Sequence, residues 1–334
     1  MFQTDIIIFL QSFSSDGLNT FFLFITGLGD ESIIQAILIV LLFGINFRAG
    51  FLLLQLILIN AIATGFFKNF FALPRPFNLD AAVRTPGYTV DPNAVISGKG
   101  VETFWAMPPE DILRRFRMHP PNSFGFPSGH TSSAIALWGG IALFFKKWWI
   151  AVPCLLLIFL IPLSRLYLGR HFPADILGGY ALGGLLLFLF HRYAFENTGF
   201  KNFLFQKITK PARIQSLAVM AGFLIPLLLI GLSIQPEYSA MWLGLNIGFF
   251  LVRRKGVPDD GAPVRLRMGR VLLAGGFFYG LNRLATPLVE WCEASGADLC
   301  LYLVITLLLT LFIWLSTETM VRLGWMCRPS PSPL

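Results

Sequence analysis

His171 and Asp175 stand four residues apart. A carboxylate bonded to one imidazole nitrogen fixes the tautomer and leaves the other nitrogen free to attack. Pro173 suits the first turn of a helix and Asp175 suits its N-terminal end. Just upstream, Ser164-Arg165 supplies a guanidinium that can grip two phosphate oxygens at once. A second string, Pro127-Ser128-Gly129-His130, opens an apolar run. Unpaired N–H groups at a helix start bind anions, Gly129 lets the backbone approach a phosphate closely, and the Ser128 hydroxyl adds a donor. Lys68 and Arg75 are seven residues apart, almost two helical turns, so they project from one face. Pro74 and Pro76 end that helix and free Arg75 to turn inward. The shared chemistry is phosphate binding and proton transfer.

Each string alone has a plainer reading. Lys68 and Arg75 could snorkel to lipid headgroups. Ser128-Gly129 could be an ordinary N-cap beside an interfacial His130. Asp175 could be a helix-end charge beside a surface His171. Only the set is specific. Lys68-x6-Arg75-Pro76, Pro127-Ser128-Gly129-His130 and Ser164-Arg165-x5-His171-x3-Asp175 occur in order, each at the end of an apolar segment. Together they resemble the three-part signature of the type 2 phosphatidic acid phosphatase (PAP2) superfamily. The resemblance covers residues 24–194 and departs at no signature position.

That resemblance implies an all-α polytopic membrane helix bundle with a PAP2/haloperoxidase-like catalytic core. It implies a phosphatase with no metal and no cofactor. His171 resembles the family's nucleophile, which forms a phosphohistidine, and Asp175 its orienting partner. His130 resembles the acid that protonates the leaving oxygen and then the base that activates water. Lys68, Arg75, Ser128, Gly129 and Arg165 resemble the phosphate cradle. The expected substrate is a lipid phosphate or polyprenyl diphosphate, such as phosphatidic acid, phosphatidylglycerophosphate or undecaprenyl diphosphate. Three alternatives stay open: a sugar-phosphate phosphatase of the glucose-6-phosphatase branch, a lipid phosphotransferase, and a transporter or scaffold with a relict site.

Composition says what must position these residues. The chain has 334 residues, 55% hydrophobic and 13% charged, with 34 Phe. A soluble domain carries about 25% charged residues. Nine candidate spans follow, at 24–46, 51–72, 128–145, 148–163, 174–194, 213–232, 237–253, 270–289 and 299–322. No signal-peptide pattern opens the chain, so residues 1–30 are read as mature protein. Ile6–Phe13 is apolar but too short to span and is expected in the membrane interface.

Most of the 26 Lys and Arg fall on one side of these spans, whereas the short loops Ser233–Ala240 and Glu290–Asp298 hold none. The positive-inside rule makes the basic side cytoplasmic. All three strings then reach the opposite, periplasmic face of what is expected to be a bacterial inner membrane. The net charge of +8 reflects topology and anionic lipid rather than nucleic acid.

Residues 1–212 are expected to form the catalytic core, including an extracytoplasmic loop at 77–126. Residues 213–324 are expected to add four spans, and 325–334 to be disordered. Arg283, inside a late span, is a secondary candidate for headgroup contact or helix pairing. Arg114, Arg115 and Arg117 are others, on a short segment with apolar Ile112, Leu113 and Phe116 that could rest on the membrane or be a solvated charge run. Cys292 and Cys300 could pair or stay free. Oligomeric state is not readable.

Overall fold

The computed structural model describes residues 2–89, 101, 106–118, 123–206, 213–259 and 261–328, with backbone only for 213–219. The described residues are helical, with one isolated bridge, Asp259 to Cys327, and no strand. The helices are α1 (Asp5–Ser12), α2 (Asp16–Gly27), α3 (Glu31–Ile39), α4 (Phe47–Phe71), α5 (Pro76–Leu79), α6 (Glu110–Met118), α7 (Gly129–Ala134), α8 (Gly140–Phe145), α9 (Trp148–Tyr167) and α10 (Pro173–Phe190). They continue with α11 (Thr198–Phe205), α12 (Arg213–Gly231), α13 (Pro236–Lys255), α14 (Val264–Ser295) and α15 (Asp298–Arg322). Wider π-helical turns extend α3, join α7 to α8, and extend α10.

Local chemistry sets many of these ends. Ser15, Asn46, Ser128 and Asn197 accept the N–H three residues on, as N-cap side chains do. Pro76, Pro173 and Pro236 occupy first helical positions, where a missing N–H costs nothing.

Among the described residues four helical segments are long and apolar enough to cross a membrane: Phe47–Leu79, Trp148–Tyr167, Pro173–Phe195 and Asp298–Arg322. A fifth exists if α2 and α3 with its extension count as one span, although they bend by 51°. By this measure the nine expected spans are not reached. Helix is present at all nine positions, but α13 and α14 are diluted by polar and charged residues. The expected span at 24–46 is cut at Leu28–Asp30, where the chain turns between α2 and α3.

The chain forms two compact units. One comprises Met1–Ile34 and Ala63–His191, the other Gln35–Ile62 and Arg192–Leu334. In the first, a core of Phe2, Ile7, Leu73, Phe77, Leu79, Val83, Leu113, Phe172 and Ala174 packs beneath the end of α4 and the start of α10. The inner face of α1 belongs to this core. Gln11 ties it down, donating to the carbonyls of Arg84 (2.6 Å) and Tyr167 (2.8 Å). The expectation for Ile6–Phe13 therefore meets a helix with Ile7 fully buried, while Ile6, Phe9 and Phe13 remain an exposed apolar face. α10 crosses α7 closely. A Cβ at Gly179 would lie 2.7 Å from the Ser128 carbonyl oxygen, and one at Gly183 2.7 Å from that of Ser132. Only glycine permits that approach.

In the second unit, Gln55, Trp242 and Asn246 form a polar chain. Trp242 Nε1 donates to Gln55 Oε1 (2.5 Å), Gln55 Nε2 to Asn246 Oδ1 (2.7 Å), and Asn246 Nδ2 to the Gly222 carbonyl (2.8 Å). Of the expected disordered tail, Trp325 to Arg328 are held. Arg270 donates to the Trp325 carbonyl and Arg328 pairs with Glu318. Residues 329–334 lie outside the described residues, as does much of the expected loop at 77–126. Cys292 and Cys300 are free thiols.

Candidate active site

His171 occupies the short link between α9 and α10, 1% exposed, and Asp175 lies one turn later, wholly buried. His171 Nδ1 is 3.1 Å from Asp175 Oδ2. The same oxygen accepts the Phe172 N–H at 2.9 Å, while Oδ1 has no hydrogen-bond partner among the described residues. The carboxylate is thus fixed by the backbone before it fixes the imidazole. With Nδ1 donating to it, Nε2 carries the lone pair, and Nε2 makes no hydrogen bond among the described residues. Burial, then the positive charges of Arg75, Arg165 and Lys68, hold the His171 imidazole well below its ordinary value of 6.5. It is neutral at physiological pH, as a nucleophile must be.

Three cations converge here from separate elements. Lys68 sits in the last turn of α4, Arg75 is the extended residue before Pro76, and Arg165 is in the last turn of α9. Lys68 Nζ donates to Ser123 Oγ (3.0 Å) and the Phe124 carbonyl (2.9 Å). Arg75 donates to the Ser123 carbonyl through Nε (3.3 Å) and to Ser123 Oγ through Nη2 (3.2 Å). Arg165 is 7% exposed, yet among the described residues its one hydrogen bond goes to the neutral Thr26 hydroxyl (2.7 Å), and Nε has none. A buried guanidinium without a carboxylate partner is costly unless an anion completes it. The acceptors of Lys68 and Arg75 are likewise neutral, so all three retain unbalanced charge. Such a cluster suits a phosphate group.

The second string joins the third through the backbone, with Ser128 N–H donating to the Asp175 carbonyl at 2.9 Å. Ser128 Oγ is wholly buried and accepts from Thr131, as an N-cap does. Gly129 follows at the first position of α7, where a Cβ would stand at ordinary contact distance from Thr64 Cγ2 (3.6 Å) and Lys68 Cε (4.0 Å). His130 comes next, its Nε2 3.0 Å from Asp30 Oδ1. Among the described residues no group of three His, Cys, Asp or Glu could hold a metal ion.

The secondary candidates lie apart from this cluster. Arg283 is exposed on α14, in the other unit, with no hydrogen bond or ion pair among the described residues. Arg114 pairs with Glu110 at 2.9 Å on the exposed face of α6, Arg117 donates to the Phe71 carbonyl (3.1 Å), and Arg115 is exposed. Leu113 and Phe116 turn into the protein, so the apolar side of α6 faces the core and not the membrane.

Four residues absent from the sequence reading also belong here. Asp30 meets His130, Thr26 meets Arg165, and Ser123 bridges Lys68 and Arg75. Arg170 lays its guanidinium 3.9 Å over the Tyr88 ring. Asp30 left a signal, forming with Glu31 an acidic pair beside glycines within an otherwise apolar stretch.

Residues 49–199 match the profile of the PAP2 superfamily. This region is similar to that superfamily. The PAP2 region contains every signature residue and both ends of the site's helical frame. The chain is 40% identical over 80 residues to phosphatidylglycerophosphatase B of Bacillus subtilis, covering 20% of this chain and 38% of that one. It is 36% identical over 75 residues to lipid A 4'-phosphatase of Bacteroides thetaiotaomicron, covering 22% and 33%. It is also 36% identical over 69 residues to undecaprenyl-diphosphatase BcrC of Bacillus subtilis, covering 21% and 35%. The matches thus span about a third of each relative's length. No solved structure matches the chain.

Proposed function

We propose that this chain is an integral-membrane phosphatase that hydrolyses a lipid phosphate or polyprenyl diphosphate through a phosphohistidine on His171. The observation that carries this reading is the buried His171–Asp175 pair, with Nε2 unbonded, beside three cations that lack anionic partners. Lys68, Arg75 and Arg165, with the Gly129 amide, hold the phosphoryl oxygens and stabilise charge that spreads over them during transfer. Nε2 of His171 attacks phosphorus in line with the leaving oxygen. The P–O bond breaks as the N–P bond forms, and His130 gives that oxygen a proton. A water then attacks phosphorus while His130 takes back a proton, the N–P bond breaks, and inorganic phosphate leaves. Asp175 keeps the ring oriented and favours the positive charge that grows on it.

The relatives' names favour a lipid substrate over a sugar phosphate. The Lys and Arg bias of the loops supports an extracytoplasmic face for the three strings, where the headgroup of a lipid can enter from the bilayer. Purified protein in detergent with EDTA tests the reading. Phosphate release from phosphatidic acid, phosphatidylglycerophosphate or undecaprenyl diphosphate is expected, with none from the His171→Ala variant. Release from glucose-6-phosphate alone would overturn the lipid assignment, and wild-type turnover by His171→Ala would overturn the mechanism.

A further inference from the structure

Asp30 is the second carboxylate at the site, outside the three strings and ahead of the PAP2 match. It stands at the turn between α2 and α3, with its Oδ1 3.0 Å from His130 Nε2. The adjoining backbone packs against the same edge of the ring, since a Cβ at Gly29 would lie 3.1 Å from His130 Cδ2. The turn therefore closes over the Nε2 edge and leaves Nδ1, which has no hydrogen bond among the described residues. The charged and titratable groups facing this imidazole are Asp30, Arg165, Lys68 and His171. Asp30 is the one anion among them.

We infer that Asp30 is a positioning residue for His130, holding Nε2–H so that Nδ1 alone exchanges protons with the leaving oxygen and with water. The inference rests on the acid–base role proposed for His130. In the first step the Nδ1 proton passes to the leaving oxygen as the P–O bond breaks. The ring is left neutral, with a lone pair on Nδ1 and Nε2–H still bonded to Asp30. In the second step that lone pair takes a proton from the attacking water as the N–P bond to His171 breaks. Asp30 keeps one tautomer through both steps, and its charge works against the burial and the Arg165 and Lys68 charges that disfavour the imidazolium the first step needs. The two histidines then work through opposite nitrogens, His171 through Nε2 and His130 through Nδ1.

A purely structural Asp30 would only suit the start of α3, which it immediately precedes. Asn suits a helix start as well as Asp does, so Asp30→Asn keeps that fit and removes the charge. The full chain in detergent is assayed with whichever of phosphatidic acid, phosphatidylglycerophosphate or undecaprenyl diphosphate the wild type turns over fastest. Asp30→Asn is expected to lower kcat about 10- to 100-fold, part of the 10²–10⁴ that a positioned acid supplies, with KM nearly unchanged. The alkaline limb of the kcat–pH profile should move to lower pH, and Asp30→Glu should restore part of both. In a His130→Ala background Asp30→Asn should add no further loss, as expected of groups that act as a unit. Should Asp30→Asn misfold, Asp30→Ser, another good cap, carries the same test. Wild-type kcat and an unmoved limb would overturn the inference, as would an equal loss in both backgrounds. Wild-type turnover by His171→Ala would instead sink the phosphohistidine reading, whatever the Asp30 variants do.

Discussion

Replacing Asp175 separates its charge from its hydrogen bonding. One oxygen, Oδ2, accepts both the Phe172 N–H and His171 Nδ1–H, and Oδ1 accepts nothing. In Asp175→Asn the Phe172 N–H, which must be met inside the protein, draws the amide oxygen to the Oδ2 position. The same oxygen then still accepts from Nδ1, and the His171 tautomer survives. What is lost is the charge. A hydrogen bond to a charged group contributes about 1.5–3 kcal/mol and a neutral one about 0.5–1.5. The difference in the His171 bond, about 1–2 kcal/mol, counts fully once the ring turns cationic. At about 1.4 kcal/mol per tenfold, kcat should fall about 5- to 30-fold. Asp175→Ala removes the bond outright, up to about 3 kcal/mol, or roughly 150-fold. It also strands the Phe172 N–H, at about 1–3 kcal/mol of stability. Because Asp175 touches no substrate, KM should hold in both. Steady-state phosphate release and thermal melts in one detergent read both effects. Asp175→Ala within threefold of wild type would refute the reasoning. Asp175→Asn falling about 10⁴-fold would show that the amide had flipped and imposed the wrong tautomer.

The other expectations are briefer. Arg165→Lys should raise KM and lower kcat together by about 10-fold or more, because an ammonium cannot reproduce the planar fork in a buried site, and initial rates would show it. The depressed His171 value predicts that the nucleophile stays neutral throughout the range above pH 6.5. Its acid limb in kcat/KM, corrected for ionisation of the substrate phosphate, should therefore lie below pH 6.5, and a limb centred above pH 7 would contradict this. Gly179→Ala should destabilise the α7–α10 crossing by about 1–3 kcal/mol, seen as a lowered Tm, because its Cβ would meet backbone 2.7 Å away. An unchanged Tm would mean that the crossing gives way freely.

Much of the site was legible because its parts are sequence-local. His171 and Asp175 share one turn and Ser128 to His130 one helix start, whereas the helix face expected to carry Lys68 and Arg75 ends at Phe71, and Arg75 reaches the site from an extended residue past the end of α4. Asp30 and Thr26 were missed because they reach His130 and Arg165 across 100 and 139 residues. No periodicity reports such a contact. The break at Leu28–Asp30 was missed for a related reason, since hydropathy averages over a window and does not register a turn of a few residues. Apolar periodicity found the helices but overstated the spans. Polar side chains in α13 and α14 dilute the hydropathy of helices that are otherwise long enough. The amphipathic α6 suggested a membrane face, whereas Leu113 and Phe116 are buried in protein, because a pattern shows which face is apolar and not what covers it.

Rapid acid-free quenching of enzyme turning over a lipid substrate labelled in the phosphate would decide whether His171 carries the phosphoryl group. Acid-labile, base-stable label should appear on wild-type protein, accumulate in His130→Ala, where water is no longer activated, and be absent from His171→Ala. Turnover without any labelled protein in His130→Ala, or label that persists in His171→Ala, would contradict a phosphohistidine at this residue.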